Sequence, residues 1–148
     1  MKSVLFICVH NSARSQMAEA FLKKYGNEFF NVESAGLEKG KLNPLVVEAM
    51  AEIGIDISKA TTKTVFEVIR KNNTFDYIIT VCDKRTAETC PLWPAMIKPP
   101  VKYIHWDFTD PSSFEGTKNE KLVKIRIVRD SIEEKIKEFV TNLQNSQL

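Results

Sequence analysis

The chain has 148 residues, 43% apolar and 27% charged, with 21 lysines and arginines against 19 aspartates and glutamates and a net charge of +2. A single domain spanning 1–148 and able to bury about two-thirds of its unfolded surface is expected from that length and composition. So small a net charge leaves no footprint for nucleic acid or an anionic membrane, and no apolar stretch approaches the length of a membrane span.

The first apolar run, Val4 to Val9, is shorter than the core of a secretory signal. A cytoplasmic address is expected, where cysteines stay reduced; three of them then ask for a redox, nucleophilic or metal-binding explanation before a structural disulfide. Val4-Leu-Phe-Ile7 reads as a buried strand, and Ser15 to Leu22 as an amphipathic helix. Phe30 to Ser34 is a second strand, closed by Ala35-Gly36. Asn43-Pro44 caps and starts a helix running to Ile53, before Gly54. A loop and a helix fill Ser58 to Asn72. Phe75 to Val81, aromatic and β-branched, is a third strand, and Val101 to His105 a fourth. From Leu122 to Leu143 apolar residues recur every three or four positions between charged ones, the stripe of one long helix packed on a core. Strands alternating with helices predict an α/β fold. Its parallel sheet carries helices on both faces, and ligands bind at the C-terminal ends of the strands.

Cys8 stands at such an end, and Cys8-Val-His-Asn-Ser-Ala-Arg14-Ser15 is the turn from the first strand into the first helix. The backbone N–H groups of Val9, His10, Asn11, Ser12, Ala13 and Arg14 would open at a helix N-terminus, where unpaired amides and the helix dipole attract an oxyanion. Arg14 adds a planar fork for two anionic oxygens, and the same positive surroundings favour an anionic, nucleophilic Cys8 sulfur. Cys82 follows the third strand on the same edge, so the two thiols are expected to meet. Cys90 lies eight residues further on, across a polar stretch that could carry it to Cys82, which makes a three-thiol relay a natural reading. Zinc is the weaker alternative: C-x7-C is an unusual zinc spacing, and His10 and His105 are the only imidazoles. Asp110-Pro111 follows the fourth strand. By itself it reads first as a turn initiator, and its carboxyl is also placed to give a proton to a leaving oxygen. His105 and Trp106 read as strand-end packing, and the His10 ring as exposed.

With these residues in place the chain resembles the arsenate reductases built on the low-molecular-weight tyrosine phosphatase fold, the class coupled to thioredoxin. The likeness rests on Cys8-x5-Arg14-Ser-Gln-Met-Ala-Glu19, Glu33-Ser-Ala-Gly36, Asn43-Pro44, Thr80-Val-Cys82, Cys90-Pro91, His105-Trp106, Asp110-Pro111 and Arg126-x-x-Arg129-Asp130. It implies a four-stranded parallel sheet and a set of roles: Cys8 the nucleophile, Arg14 the transition-state clamp, Cys82 and Cys90 the resolving thiols, Asp110 the general acid. Ser15 would hydrogen-bond the Cys8 sulfur and Asn11 would hold the loop. The implied activity is reduction of arsenate to arsenite for arsenical resistance, through a Cys8–Cys82 and then a Cys82–Cys90 disulfide. Phosphate would compete as an oxyanion, a thioredoxin-like dithiol would be the partner, and the chain would act as a monomer without cofactor or metal. Two alternatives share the residues: a phosphatase working through a Cys8-phosphate intermediate, and a non-catalytic thiol module that captures arsenite or a metal. Cys82 and Cys90 favour the reductase, as does Gln16 where the phosphatase branch would carry proline. The Cys82–Cys90 spacing is one residue longer than is usual in the family. Some relatives bind potassium through the equivalents of Asn11, Glu19, Ser34 and an aspartate; Lys63 stands at that last place, and its ammonium is expected to replace the ion.

Overall fold

A computed structural model describes residues 1–26, 28–82 and 97–146. Strands β1 (Lys2–Cys8), β2 (Phe30–Gly36), β3 (Tyr77–Thr80) and β4 (Lys102–His105) form one parallel sheet in the order β2-β1-β3-β4. Helix α1 (Arg14–Gly26) links β1 to β2, α2 (Pro44–Ala51) and α3 (Val65–Lys71) lie between β2 and β3, and α4 (Lys118–Ser146) closes the described chain. A 3-10 turn, Pro111–Ser113, precedes α4. The four-stranded α/β fold expected from the sequence is therefore present; β1, α1, β2 and α4 run beyond the expected stretches, and others are shorter. The first helix of the middle segment stops at Ala51 rather than Ile53, and the third strand covers Tyr77–Thr80 rather than Phe75 to Val81. Phe75 is buried all the same, and the neighbouring Asp76 carboxylate accepts the Ser3 N–H, tying the starts of β1 and β3 together.

Strand alternation divides the core in two. Val4, Phe6 and Cys8 of β1 and Tyr77 and Ile79 of β3 face the larger cluster with Met17, Phe21 and Leu22 of α1, Val46 and Met50 of α2, and Leu122, Ile125, Ile132, Ile136 and Phe139 of α4. Leu5, Ile7 and Ile78 face the smaller one with Val65 and Val68 of α3. Helices thus cover both faces. The stripe read from the sequence is the buried side of α4, and Trp106 packs against Phe6 and Phe139 as strand-end filling. The Arg126-x-x-Arg129-Asp130 motif is a clamp on α2. Arg126 grips the Glu52 carboxylate through two nitrogens, while the buried Arg129 donates to the Ala49 carbonyl at 2.8 Å and to Glu52 at 3.0 Å. These hydrogen bonds, from Arg126 above all, hold the Glu52 carboxyl below its ordinary pKa of 4.5. In this strand order the chain leaves β1 and β3 toward opposite sides, so a crevice opens between their C-terminal ends. Cys8 and Cys82 stand there.

Candidate active site

Cys8 ends β1 as a buried free thiol, 2% exposed. The Asn11 N–H donates to its sulfur at 3.1 Å, and the Ser15 hydroxyl lies 2.9 Å away. Because the Ser15 oxygen already accepts from Asn11 Nδ2 at 2.8 Å, its own hydrogen is available to an anionic sulfur. Asn11 is fully buried with φ +55°, in the left-handed region that asparagine tolerates better than most residues. Its amide fills all four hydrogen-bond positions: Nδ2 donates to Ser15 and Ser34, and Oδ1 accepts from Gln16 Nε2 and the Lys63 N–H. A residue held on four sides can keep that backbone conformation.

The carbonyls of the loop are turned away from the sulfur. Cys8 O accepts from Leu37 N, Val9 O from Glu38 N, His10 O from Gly40 N, and Ser12 O from Asn43 N, at 3.0–3.2 Å. Asn11 O accepts from Gln16 Nε2 at 3.1 Å. The C=O and N–H of a trans peptide point in opposite directions, so the N–H groups of Val9, His10, Asn11, Ser12 and Ala13 are directed to the other side. That side is where Asn11 meets the sulfur. A concave set of donors at the start of α1 has the form and polarity that can seat a tetrahedral oxyanion. Glycine is required on the clasping segment: a Cβ on Gly36 would stand 2.7 Å from Asn11 N, and one on Gly40 2.7 Å from His10 O.

Arg14 opens α1 and is 3% exposed. Its Nη1 donates to the Phe108 carbonyl at 3.0 Å, and its Nη2 stands 3.8 Å from Asp110 Oδ2. The other Asp110 oxygen accepts the Ser112 N–H at 3.0 Å, capping the 3-10 turn. Asp110 is thus a turn initiator and a carboxylate facing the loop at once. Cys82 is buried just past β3 and is disulfide-bonded. It shares the larger core cluster with Cys8, on strands whose register pairs Ile7 with Thr80. Cys90 lies outside the described residues.

Residues 3–148 match the model of a family described as low molecular weight phosphotyrosine protein phosphatase. Curated proteins named arsenate reductase match over 93% of this chain and 94% of their own length, at 46% identity in Bacillus licheniformis and 43% in Bacillus subtilis. The chain belongs to this phosphatase family, in its arsenate reductase branch. A solved arsenate reductase in a phosphate-binding state superposes with a TM-score of 0.77 at 30% identity, covering 96% of this chain and 98% of the other. A thioredoxin-dependent arsenate reductase of Corynebacterium glutamicum gives 0.67 at 31% identity, over 99% of this chain and 63% of that one.

Against this family background the structure corrects one expectation. Lys63 meets Asn11 through its backbone N–H, at 2.9 Å, and its ammonium makes no hydrogen bond or ion pair among the described residues. Both acceptor positions of Asn11 Oδ1 are taken by Lys63 N–H and Gln16, and Glu19 pairs with Lys23 at 3.0 Å, so these groups do not fit a cation as they stand. The described residues hold no cluster of three or more His, Cys, Asp or Glu that could bind a metal, and no helix long and apolar enough to cross a membrane. The His10 ring is exposed as expected, 3.6 Å from Glu38. Three residues named from the sequence for other reasons make contacts at the site that the sequence did not show. Asn43, read as a helix cap, also clasps Ser12 O and donates to Ser112 Oγ, joining the loop to the Asp110 turn. His105 bridges Thr80 Oγ1 at 2.6 Å and Asp107 at 2.8 Å, locking the ends of β3 and β4. Gln16 is the third. Each had a local signal, Asn43 before Pro44, Gln16 after Arg14-Ser15 and His105 before Trp106; their contacts had none, since these depend on partners distant in sequence or on a backbone carbonyl.

Proposed function

We propose that the protein reduces arsenate to arsenite, as a detoxifying oxidoreductase, with Cys8 as nucleophile and Cys82 and Cys90 as a relay to a thioredoxin-like dithiol. The observation that carries this reading is the conjunction at one sheet edge: a free Cys8 inside a cradle of N–H donors, and a second cysteine, Cys82, disulfide-bonded at the end of the adjacent strand. Arsenate takes the seat made by the amides of Val9 to Arg14, and the Arg14 guanidinium pairs with two of its oxygens. Ser15 and Asn11 stabilise the Cys8 thiolate by hydrogen bonds. The thiolate attacks arsenic, a Cys8–arsenic bond forms, and one oxygen leaves as water with a proton from Asp110.

Cys82 thiolate then attacks the Cys8 sulfur. The sulfur–arsenic bond breaks with its electron pair going to arsenic, so arsenic(V) becomes arsenic(III) and two thiols become the Cys8–Cys82 disulfide. Attack of Cys90 on Cys82 moves the disulfide to Cys82–Cys90 and returns Cys8 as a thiolate. A free Cys8 beside a disulfide-bonded Cys82 is the arrangement expected after that second exchange, and it supports this order of events. The external dithiol reduces the last disulfide. Phosphate, equal in shape and charge to arsenate, competes for the seat. We read the chain as a monomeric cytoplasmic enzyme.

A phosphatase reading is favoured by the description of the family model and by the same cradle, which suits the phosphate of a monoester on Cys8. It leaves Cys82 without a role. NADPH oxidation by thioredoxin and thioredoxin reductase separates the two. The reductase reading expects oxidation that depends on arsenate and is lost in Cys8→Ser and Cys82→Ser, with any phosphate-ester hydrolysis lost only in the former. Arsenate turnover at full rate in Cys82→Ser, or no arsenate-dependent oxidation by the native protein, would contradict it.

A further inference from the structure

Five consecutive carbonyls of the loop, from Cys8 to Ser12, are held away from the sulfur, and four of the five donors are backbone N–H groups from Leu37, Glu38, Gly40 and Asn43. The fifth, on Asn11 O, is a side chain: Gln16. It is 2% exposed, among the largest fully enclosed side chains of the protein, and stands on α1 two residues after Arg14. Its Nε2 meets three oxygens, Asn11 O and Asn11 Oδ1 at 3.1 Å and Thr61 O at 3.0 Å. Only the NH2 end of the amide can face three acceptors; the carbonyl end would be repelled by all of them.

The peptide that Gln16 grips is the one that carries the Ser12 N–H. It follows Asn11, which alone among the described non-glycine residues has a positive φ, so this peptide lies outside any regular helix or strand ladder. With Asn11 O anchored on Gln16, the Ser12 N–H is directed to the sulfur side; without the anchor, a flip of that peptide would present a carbonyl oxygen to the anion in place of an N–H. The third bond, to Thr61 O, ties the same amide to the segment whose Lys63 N–H also holds Asn11 Oδ1 and whose Lys63 O takes the Gly36 N–H at 2.8 Å. We propose that Gln16 is a positioning residue for oxyanion binding, which sets the orientation of the Asn11–Ser12 peptide and so supplies the Ser12 amide to the bound arsenate or phosphate.

This rests on the cradle being the oxyanion seat, so inorganic phosphate is the probe and arsenate turnover is not needed. Phosphate protection of Cys8 against iodoacetamide, located at Cys8 by mass spectrometry, gives its dissociation constant for the native protein, Gln16→Met and Gln16→Glu. Gln16→Met keeps the length and loses the donor. Gln16→Glu keeps the shape but puts an acceptor against three oxygens when ionised and regains a donor when protonated. A charge-assisted hydrogen bond lost from the anion is expected to weaken phosphate binding about tenfold or more in Gln16→Met. Gln16→Glu is expected to lose more at neutral pH and to recover toward the native constant, taken as a ratio at each pH, as the solution is acidified. Native affinity, within about twofold, in variants that melt earlier would overturn the proposal and leave Gln16 a strut of the loop. Failure of phosphate to protect Cys8 in the native protein would instead overturn the cradle reading itself.

Discussion

The two walls of the crevice are built differently. On the β1 side Cys8, Asn11, Arg14, Ser15 and Gln16 are all at least 97% buried, and every loop carbonyl from Cys8 to Ser12 has a donor. On the β4 side Asp110 is 27% exposed, touches Arg14 at 3.8 Å rather than at hydrogen-bond distance, and is held through one oxygen by Ser112. In the proposed reaction the first wall meets an anion with its donors already in place, so no reorganisation is needed when charge develops. The second presents a carboxyl with one oxygen bound by Ser112 and the other facing Arg14 beyond hydrogen-bond distance, which suits the proton donor of the proposed reaction. Arg14 joins the walls, since its guanidinium lies in the first and donates to Phe108 O in the second.

Breaking the joint has the largest expected effect. Arg14→Lys keeps the charge and loses the fork as well as the Phe108 bond, and arsenate-dependent turnover should fall about 10²- to 10³-fold while the protein stays folded. A tenfold loss or less would mean that the walls act independently. Asp110→Asn comes next. Asparagine can still accept from Ser112 N, so the turn survives and only the proton donor is removed. Turnover should drop about 10²-fold with the affinity for phosphate nearly unchanged, and an equal fall in both would assign Asp110 to binding. Gly36→Ala sharpens the comparison from the first wall. Its Cβ would press on Asn11 N at 2.7 Å, so a stability loss of about 1–3 kcal/mol in urea is expected together with weaker phosphate binding. Stability loss with native phosphate affinity would show that the loop tolerates being moved.

The smallest effect lies away from both walls, at the Glu52 clamp of α2 on α4. A carboxyl whose pKa is lowered on folding stabilises in full above its unfolded value, and that share is lost as pH falls through the folded one. The urea midpoint of the native protein should exceed that of Glu52→Gln by a small, constant amount above the ordinary 4.5, and the difference should vanish in stronger acid. A difference that persists there would place the clamp in packing rather than charge.

What the sequence disclosed follows the range of the interactions involved. The strand before Cys8, the helix after it and the stripe of α4 are local patterns of hydrophobicity, and they are visible in Val4 to Ile7 and from Leu122 onward. Cys8 and Arg14 were legible because their spacing falls at a strand-to-helix turn. Asp110 was ambiguous because both readings use the same carboxylate, one oxygen for the turn and one toward Arg14. Gln16 was legible as the residue that separates the two branches, but its contacts were not: they depend on Thr61, 45 residues away, and on a carbonyl that only the folded loop turns toward it. The Lys63 expectation failed because residue type speaks for a side chain, whereas here the backbone makes the contact.

The central claim is that oxidation of the cysteines is driven by arsenate itself. Fully reduced protein mixed with arsenate, without external reductant, then quenched with a thiol blocker and mapped by mass spectrometry, tests it against a phosphate control. One arsenite released per chain with a Cys82–Cys90 disulfide and a blocked Cys8 is the predicted result. Three blocked thiols and no arsenite, in both arsenate and phosphate, would contradict it.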